Sequence, residues 1–147
     1  MKKMLHNQHG DTIIEVVIAI AVLSLVLTAA FITSSNSLKA TRDAQEHGEA
    51  QALVAGQLEK VKELAISAPA NVFIGSTFCV GNSLNVISNL ANCVFQSDGS
   101  AIPNAAYQPA YHTTINYRNN VFTAKAVWDS ATGHGQATVT MSYRLYQ

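Results

Sequence analysis

The hydrophobic and polar positions divide the chain into a continuous apolar run, an amphipathic stretch and, after a polar connection, an alternating stretch. The apolar run extends from Thr12 to Ile32 and contains one charged residue, Glu15. As a helix with a rise of about 1.5 Å per residue it would reach roughly 31 Å, enough to cross the hydrocarbon core of a bilayer. The run predicts a transmembrane helix whose acid needs a partner, because a charge in lipid is costly.

A cleaved secretory signal is an alternative explanation of this run. Such a signal has an uncharged region of about 7–15 residues followed by a small-residue cleavage site. This run is longer, Glu15 interrupts its start, and Leu27-Thr28-Ala29 is a weak site. Lys2 and Lys3 precede the run, and the first acid is Asp11. The positive-inside tendency therefore predicts a cytoplasmic N-terminus and places everything after about residue 33 outside.

The amphipathic stretch predicts that the helix continues into water. Ser37–Ser67 contains no proline and is rich in Ala, Glu, Gln, Lys and Leu. Apolar residues recur along it at helical spacing: Val54, Leu58, Val61 and Ala65. Gly48 and Gly56 weaken such a helix by about 1 kcal/mol each, so we expect a bend there rather than a stop. Pro69 is the expected terminator, giving one helix of roughly 84 Å.

The remaining chain predicts a loop region followed by a small sheet. Residues 69–110 are rich in Asn, Ser, Gly and Ala and contain several turn signals, which indicates a long connection with some short elements. Three strands are then predicted from alternation: Tyr111–Arg118, Val121–Trp128 and Gln136–Tyr146. Asn119-Asn120 predicts a tight hairpin turn between the first two strands.

The pattern as a whole predicts an α+β fold, in which one long helix packs on a C-terminal antiparallel sheet. We expect one face of each of the last two strands to bury against the helix stripe. Those faces comprise Phe122, Ala124, Ala126, Trp128, Val139, Met141, Tyr143 and Leu145. The predicted segments are 1–10 (the residues before the helix), 11–33 (apolar helix), 34–68 (amphipathic helix), 69–110 (loop region) and 111–147 (sheet).

Cys79 and Cys93 are the two cysteines of the chain. Outside the membrane, a disulfide between them would close a short loop and add about 3 kcal/mol of stability, which a small core needs. The alternative is a pair of buried free thiols. Neither cysteine has a second ligand at a spacing typical of metal sites, so we expect no metal and no cofactor.

Charge and motif content favour neither catalysis nor nucleic-acid binding. The formal net charge is zero and no basic cluster is present, so tight nonspecific binding to phosphate backbones is not expected. No Gly-x-Ser-x-Gly, phosphate loop or paired-acid motif occurs. The histidines are scattered and are expected at the surface or in loops: His6, His9, His47, His112 and His134. Trp128 is expected in the core. Tyrosines near the end predict sheet packing or, alternatively, an adhesive patch: Tyr107, Tyr111, Tyr117, Tyr143 and Tyr146.

The segment around Gly10 resembles a known family signal. Gly10, the stretch Asp11-Thr12-Ile13-Ile14-Glu15 and the apolar residues that follow are similar to the prepilin signature of type IV pilins and pseudopilins. The resemblance implies that residues 1–10 are a leader peptide, that a prepilin peptidase cuts between Gly10 and Asp11, and that the apolar helix is kept. It also implies that Glu15 pairs with the N-terminal amine of a neighbouring subunit, here that of Asp11. Thr12 and Glu15 also fit a capping box, which would satisfy the first helical amides.

The resemblance implies no enzymatic activity and a defined set of partners. These are other pilin subunits, prepilin peptidase, the inner-membrane assembly platform and, before assembly, the lipid bilayer. The chain departs from the family at Asp11, where phenylalanine and N-methylation of the new terminus are usual. Ser24 and Ile32 stand where many major pilins have helix breakers, which favours a minor pilin or pseudopilin.

Three hypotheses follow from the sequence. The first is a structural filament subunit. The second is a filament-tip module for DNA uptake, adhesion or secretion, for which a basic groove or an exposed aromatic patch would be evidence. The third is a monomeric membrane-anchored domain with an uncut leader.

Overall fold

The apolar run and the amphipathic stretch form one helix, α1 (Asp11–Ser67). The computed structural model describes residues 11–101, 109–130, 132–133 and 135–145. The helix continues through Gly48 and Gly56 and ends where the sequence predicted, because Pro69 begins a short 3-10 helix, Pro69–Asn71. The chain divides into two compact units, Met1–Ala40 and Thr41–Gln147, and α1 contributes to both.

The first unit consists, within the described residues, of the apolar half of α1. It is long and apolar enough to cross a membrane, since an 18-residue window reaches a mean hydropathy of 2.8 with none of that window buried. Three hydroxyl groups along it donate to the carbonyl oxygen four residues earlier, at 2.7–2.9 Å: those of Ser24, Thr28 and Thr33. These side chains are therefore satisfied within the helix, which suits an apolar surrounding.

The second unit joins the rest of α1 to a six-stranded antiparallel sheet. The strands are β1 (Thr77–Val80), β2 (Val86–Ile87), β3 (Val94–Phe95), β4 (Tyr111–Arg118), β5 (Val121–Asp129) and β6 (Gln136–Arg144). Their order is β2-β1-β4-β5-β6, and β3 pairs with β4 beside β1. The α+β prediction and the three long strands are confirmed, whereas the loop region holds three further short strands of two to four residues.

The β4–β5 hairpin turns at Asn119-Asn120 as predicted. Both residues have positive φ, 52° and 62°, and Arg118 pairs directly with Val121. Asparagine tolerates the left-handed conformation that a two-residue turn of this hand requires. The hydroxyl of Tyr117 donates to Asn120 Oδ1 at 2.9 Å and ties the turn to the strand.

The core lies between the second half of α1 and the inner face of the sheet. Its buried members from the helix include Ala50, Leu53, Val54, Leu58, Val61 and Leu64, and those from the sheet include Phe78, Phe95, Tyr111, Ile115, Phe122, Ala124, Ala126 and Trp128. The predicted face of β5 is therefore buried in full. The prediction for Met141 on β6 is wrong, because 39% of its surface is exposed. Its strand is the last in the sheet, and Val139, Tyr143 and Leu145 are only partly buried against the same core.

Gln57 connects α1 to β1 by an amide that acts like a strand partner. Its Nε2 donates to the carbonyl oxygen of Val80 at 2.8 Å, and its Oε1 accepts from the backbone N–H of Val80 at 2.9 Å. Gln57 is buried, so both ends of its amide require partners. The pair of hydrogen bonds fixes the position of the helix along β1.

Candidate functional site

The candidate site of the first unit is an acid on an otherwise apolar helix surface. Glu15 is exposed, and so are the large apolar residues around it, such as Ile14, Val16 and Ile18. No ion pair involves Glu15 within the described residues. The predicted cleavage point at Gly10 and the leader, residues 1–10, lie outside those residues. An exposed apolar surface of this length requires lipid or other helices as its surroundings.

In either surrounding the carboxylate of Glu15 lies in a medium of low dielectric constant. There an isolated charge is destabilised, whereas a pair of opposite charges in contact is strongly attracted, and moving the two charges apart costs much more than it does in water. The arrangement can therefore select one relative position of two neighbouring helices, namely the position that brings a cation to Glu15.

The disulfide predicted between Cys79 and Cys93 is present. The two Cα atoms are 5.8 Å apart, and both side chains are buried. It connects β1 to the residue that follows a second 3-10 helix, Leu90–Asn92, and so closes the segment that contains β2. The only two cysteines of the chain are thus structural rather than reactive.

Two acids of α1 bind aromatic donors of the sheet, a contact that sequence reasoning missed. The indole Nε1 of Trp128 donates to Glu46 Oε2 at 3.1 Å, and the hydroxyl of Tyr111 donates to Glu49 Oε2 at 2.8 Å. Glu46 is only 7% exposed. Glu46 is four residues before Ala50 and therefore lies on the apolar stripe of α1. A buried acid needs a hydrogen-bond donor, so its position on this stripe could have predicted a donor from the sheet.

Burial of Tyr111 makes the second unit sensitive to alkali. Burial raises the pKa of the Tyr111 hydroxyl well above its usual value near 10, and the hydrogen bond to Glu49 raises this pKa further. The folded state therefore keeps a proton that the unfolded state loses, so its stability is full below pH 10 and falls as the pH rises above 10.

We expect the free energy of unfolding of Tyr111→Phe to fall less steeply than that of the wild type between pH 9 and pH 11.5. The measurement is urea unfolding followed by far-UV circular dichroism. An unchanged slope would contradict this, and Tyr143→Phe serves as the control.

The remaining candidates take structural or surface positions. Trp128 is in the core as predicted, and the His47 ring contacts it edge-on at 4.9 Å between centroids. His112 is exposed on β4. Tyr117 packs on Phe73 and Phe122, and the ammonium of Lys62 lies 4.4 Å from the Tyr143 ring centroid. The other residues of these types lie outside the described part of the chain: His6, His9, His134, Tyr107 and Tyr146. Among the described residues, no group of His, Cys, Asp and Glu could hold a metal ion.

A groove of about 530 Å³ lies beside α1 and contains one base and one acid. Lys60 Nζ donates to Asn82 Oδ1 at 3.2 Å. The carboxylate of Asp98 accepts from the backbone N–H of Ser100 at 2.8 Å, and hydrogen bonding to Ser100 lowers the Asp98 pKa. Both groups are therefore hydrogen-bonded to the groove wall.

Comparison with known proteins gives one match. A family model described as the prokaryotic N-terminal methylation motif matches residues 5–31, and this motif is the class III signal of type IV pilins. The match confirms the resemblance found around Gly10 and includes Glu15. No curated protein and no solved structure matches the chain. Pilin-type proteins are structural rather than enzymatic.

Proposed function

We propose that this pilin-like prepilin is cut after Gly10 and polymerises through the apolar half of α1 as a structural subunit of a type IV pilus or a related filament. The N-terminal methylation motif indicates processing by a prepilin peptidase and assembly with other pilins. The apolar helix is consistent with a membrane anchor before assembly and with an extracellular filament afterwards. In the filament the second unit faces outward.

The observation that carries the proposal is the single acid in the exposed apolar helix. Between Thr12 and Leu38 the chain has no other charged residue, so the carboxylate of Glu15 has no cation nearby along its own helix. Cleavage before Asp11 would create a positive amine four residues from Glu15. The amine of a neighbouring subunit is then the partner that removes the cost of the buried charge and fixes the axial position of each helix.

A minor pilin or pseudopilin is the second candidate role. The apolar segment contains neither glycine nor proline, and α1 is helical throughout Asp11–Ser67. Many major pilins have helix breakers in this segment, so an unbroken helix favours the less abundant subunit types. Secretion, DNA uptake and adhesion are the activities that such subunits serve.

The experiment tests cleavage first and assembly second. The chain is expressed in a bacterial inner membrane with and without a prepilin peptidase, and intact mass and N-terminal sequencing locate its start. We expect a chain that begins at Asp11 only when the peptidase is present, and we expect Gly10→Val to block the cut. Gly48→Val is the matched control, because this helix position is exposed and an added Cβ atom meets nothing within 4 Å outside the adjacent helix backbone. A wild-type chain that keeps Met1 with the peptidase present would refute the proposal.

Assembly is measured as filament recovered by shearing from cells that carry the assembly machinery. We expect Glu15→Gln to be processed normally and to reduce recovered filament at least tenfold, since the amide keeps the shape of the side chain and removes its charge. Glu63→Gln removes an exposed acid outside the apolar run and should leave recovery unchanged. Equal recovery from Glu15→Gln and wild type would refute the pairing role of Glu15.

A further inference from the structure

We propose that β6 is a self-complementary sheet edge through which two copies of this chain pair, strand to strand and antiparallel. The strand is nine residues long and pairs with β5 at every position, from Val121↔Arg144 to Asp129↔Gln136. No strand among the described residues pairs with its other side. Half of its backbone N–H and C=O groups therefore point outward from the sheet as donors and acceptors for a further strand.

This edge lacks the features that usually prevent such pairing. Edge strands are commonly protected by proline, lysine, a bulge or shortness. The sequence of β6, Gln136–Arg144, contains no proline and no lysine, and its pairing with β5 runs without a bulge. Its one charged residue, Arg144, is at the end of the strand. At the opposite edge β2 has two residues, which is too short to act as a comparable template.

The side chains of β6 are compatible with a second β6 as the occupant. Apolar and polar residues alternate along it, and the apolar ones share the side that faces α1. Antiparallel pairing centred on Thr140 matches all nine positions and keeps apolar opposite apolar. The facing pairs are Gln136 with Arg144, Ala137 with Tyr143, Thr138 with Ser142, Val139 with Met141, and Thr140 with itself. No like charges meet in this register.

The exposure of the Met141 side chain is a separate observation in favour of the strand pairing. Its neighbours on the same side of the strand, Val139 and Tyr143, are partly buried, whereas Met141 is 39% exposed. In the proposed pair, Val139 of each copy lies opposite Met141 of the other. The pairing therefore covers the most exposed apolar side chain of this strand.

The symmetry of the pair determines which copies can form it. Antiparallel strands that extend one sheet are related by a two-fold axis perpendicular to that sheet. Such an axis reverses the direction of the helix segment packed on the sheet face. Copies in one filament all point the same way, so the pairing joins copies that point in opposite directions. A single strand pair buries little area and is weak. Where many copies are displayed along two filaments that lie side by side, repetition of the pair raises the effective affinity by orders of magnitude.

Register-specific cross-linking tests the proposal on the full chain in excess nonionic detergent. Glu15→Gln is present in all variants, so the result is independent of filament assembly and of the proposed function. Thr140→Cys faces its own copy across the axis, where Cβ atoms are about 5 Å apart, and should yield a dimer on mild oxidation. Thr138→Cys alone should not, because its two copies are about 13 Å apart at the strand rise of about 3.3 Å. Mixing Thr138→Cys with Ser142→Cys should restore the dimer.

A charge at the strand centre provides the second variant. Met141→Lys should reduce the Thr140→Cys dimer at least tenfold, whereas Met141→Leu should leave it unchanged. Peptide mapping of the Cys79–Cys93 disulfide shows that each variant has folded. Efficient Thr140→Cys dimer with weak Thr138→Cys dimer supports the pairing. Equal dimer from both single variants, or Thr140→Cys dimer that Met141→Lys does not reduce, would overturn it, as would a folded Thr140→Cys chain that stays monomeric.

Discussion

Replacing Trp128 with alanine should lower the free energy of unfolding of the second unit by about 3–5 kcal/mol. The indole is 1% exposed, contacts the rings of Tyr111 and His47, and donates to Glu46 at 3.1 Å. Its removal leaves a cavity between α1 and β5 and deprives the buried carboxylate of a donor. The measurement is pulse proteolysis in urea on the full chain in detergent, because this method does not depend on tryptophan fluorescence.

Two further variants serve as references for this loss of stability. Trp128→Phe keeps an aromatic ring but loses the N–H donor and the smaller ring of the indole, so we expect it to lose about 1–3 kcal/mol, less than Trp128→Ala. Ile66→Ala removes a side chain that is 85% exposed, and it should change the free energy of unfolding by less than about 0.5 kcal/mol. A loss from Trp128→Ala no larger than that from Ile66→Ala would show that the interface between α1 and the sheet is wrongly placed.

Removing the disulfide should lower the free energy of unfolding by about 3 kcal/mol, because the unfolded chain is no longer closed into a loop between Cys79 and Cys93. Cys79 and Cys93 are separated by 14 positions and are both buried in the core. The double variant Cys79→Ala, Cys93→Ala keeps small apolar side chains there, so the change reports mainly on the cross-link. Pulse proteolysis in urea again gives the free energy of unfolding.

The reducing agent dithiothreitol provides the matched control. It should destabilise the wild type by a similar amount and leave the double variant unchanged. Destabilisation of the double variant by the reductant, or a wild type unaffected after its disulfide has been shown to be reduced, would contradict the expected role.

Long periodic segments were predictable from the sequence because each supplies many positions of one pattern. The end of α1 at Ser67 and the strands β4 and β5 were found within one residue of their positions. Strands of two to four residues contain too few positions to show alternation, so β1, β2 and β3 were read as loop. Pairing with β4 supplies their stability, and that is information from a distant part of the chain.

Side-chain burial was predictable on central strands and not at the sheet edge. Alternation alone placed Trp128 and Met141 equally in the core, yet only the first is buried. The difference is the strand order, which puts β6 last. In the candidate site, the motif that contains Gly10 and Glu15 was recognisable because it is local, and the roles of these two residues stay predictions. The contact between Glu46 and Trp128, by contrast, depends on two segments that are far apart in sequence.

The separation of 82 residues between Glu46 and Trp128 has a consequence for biogenesis. The helix is synthesised first, but its buried stripe has no sheet to pack on until β4 and β5 have been made. In the proposed topology the nascent chain therefore carries an exposed apolar stripe on the far side of the membrane during translocation. Contacts of such high sequence separation form slowly, so this interval is when the chain is most open to aggregation and to proteases. Premature termination before Tyr111 would leave that state permanent.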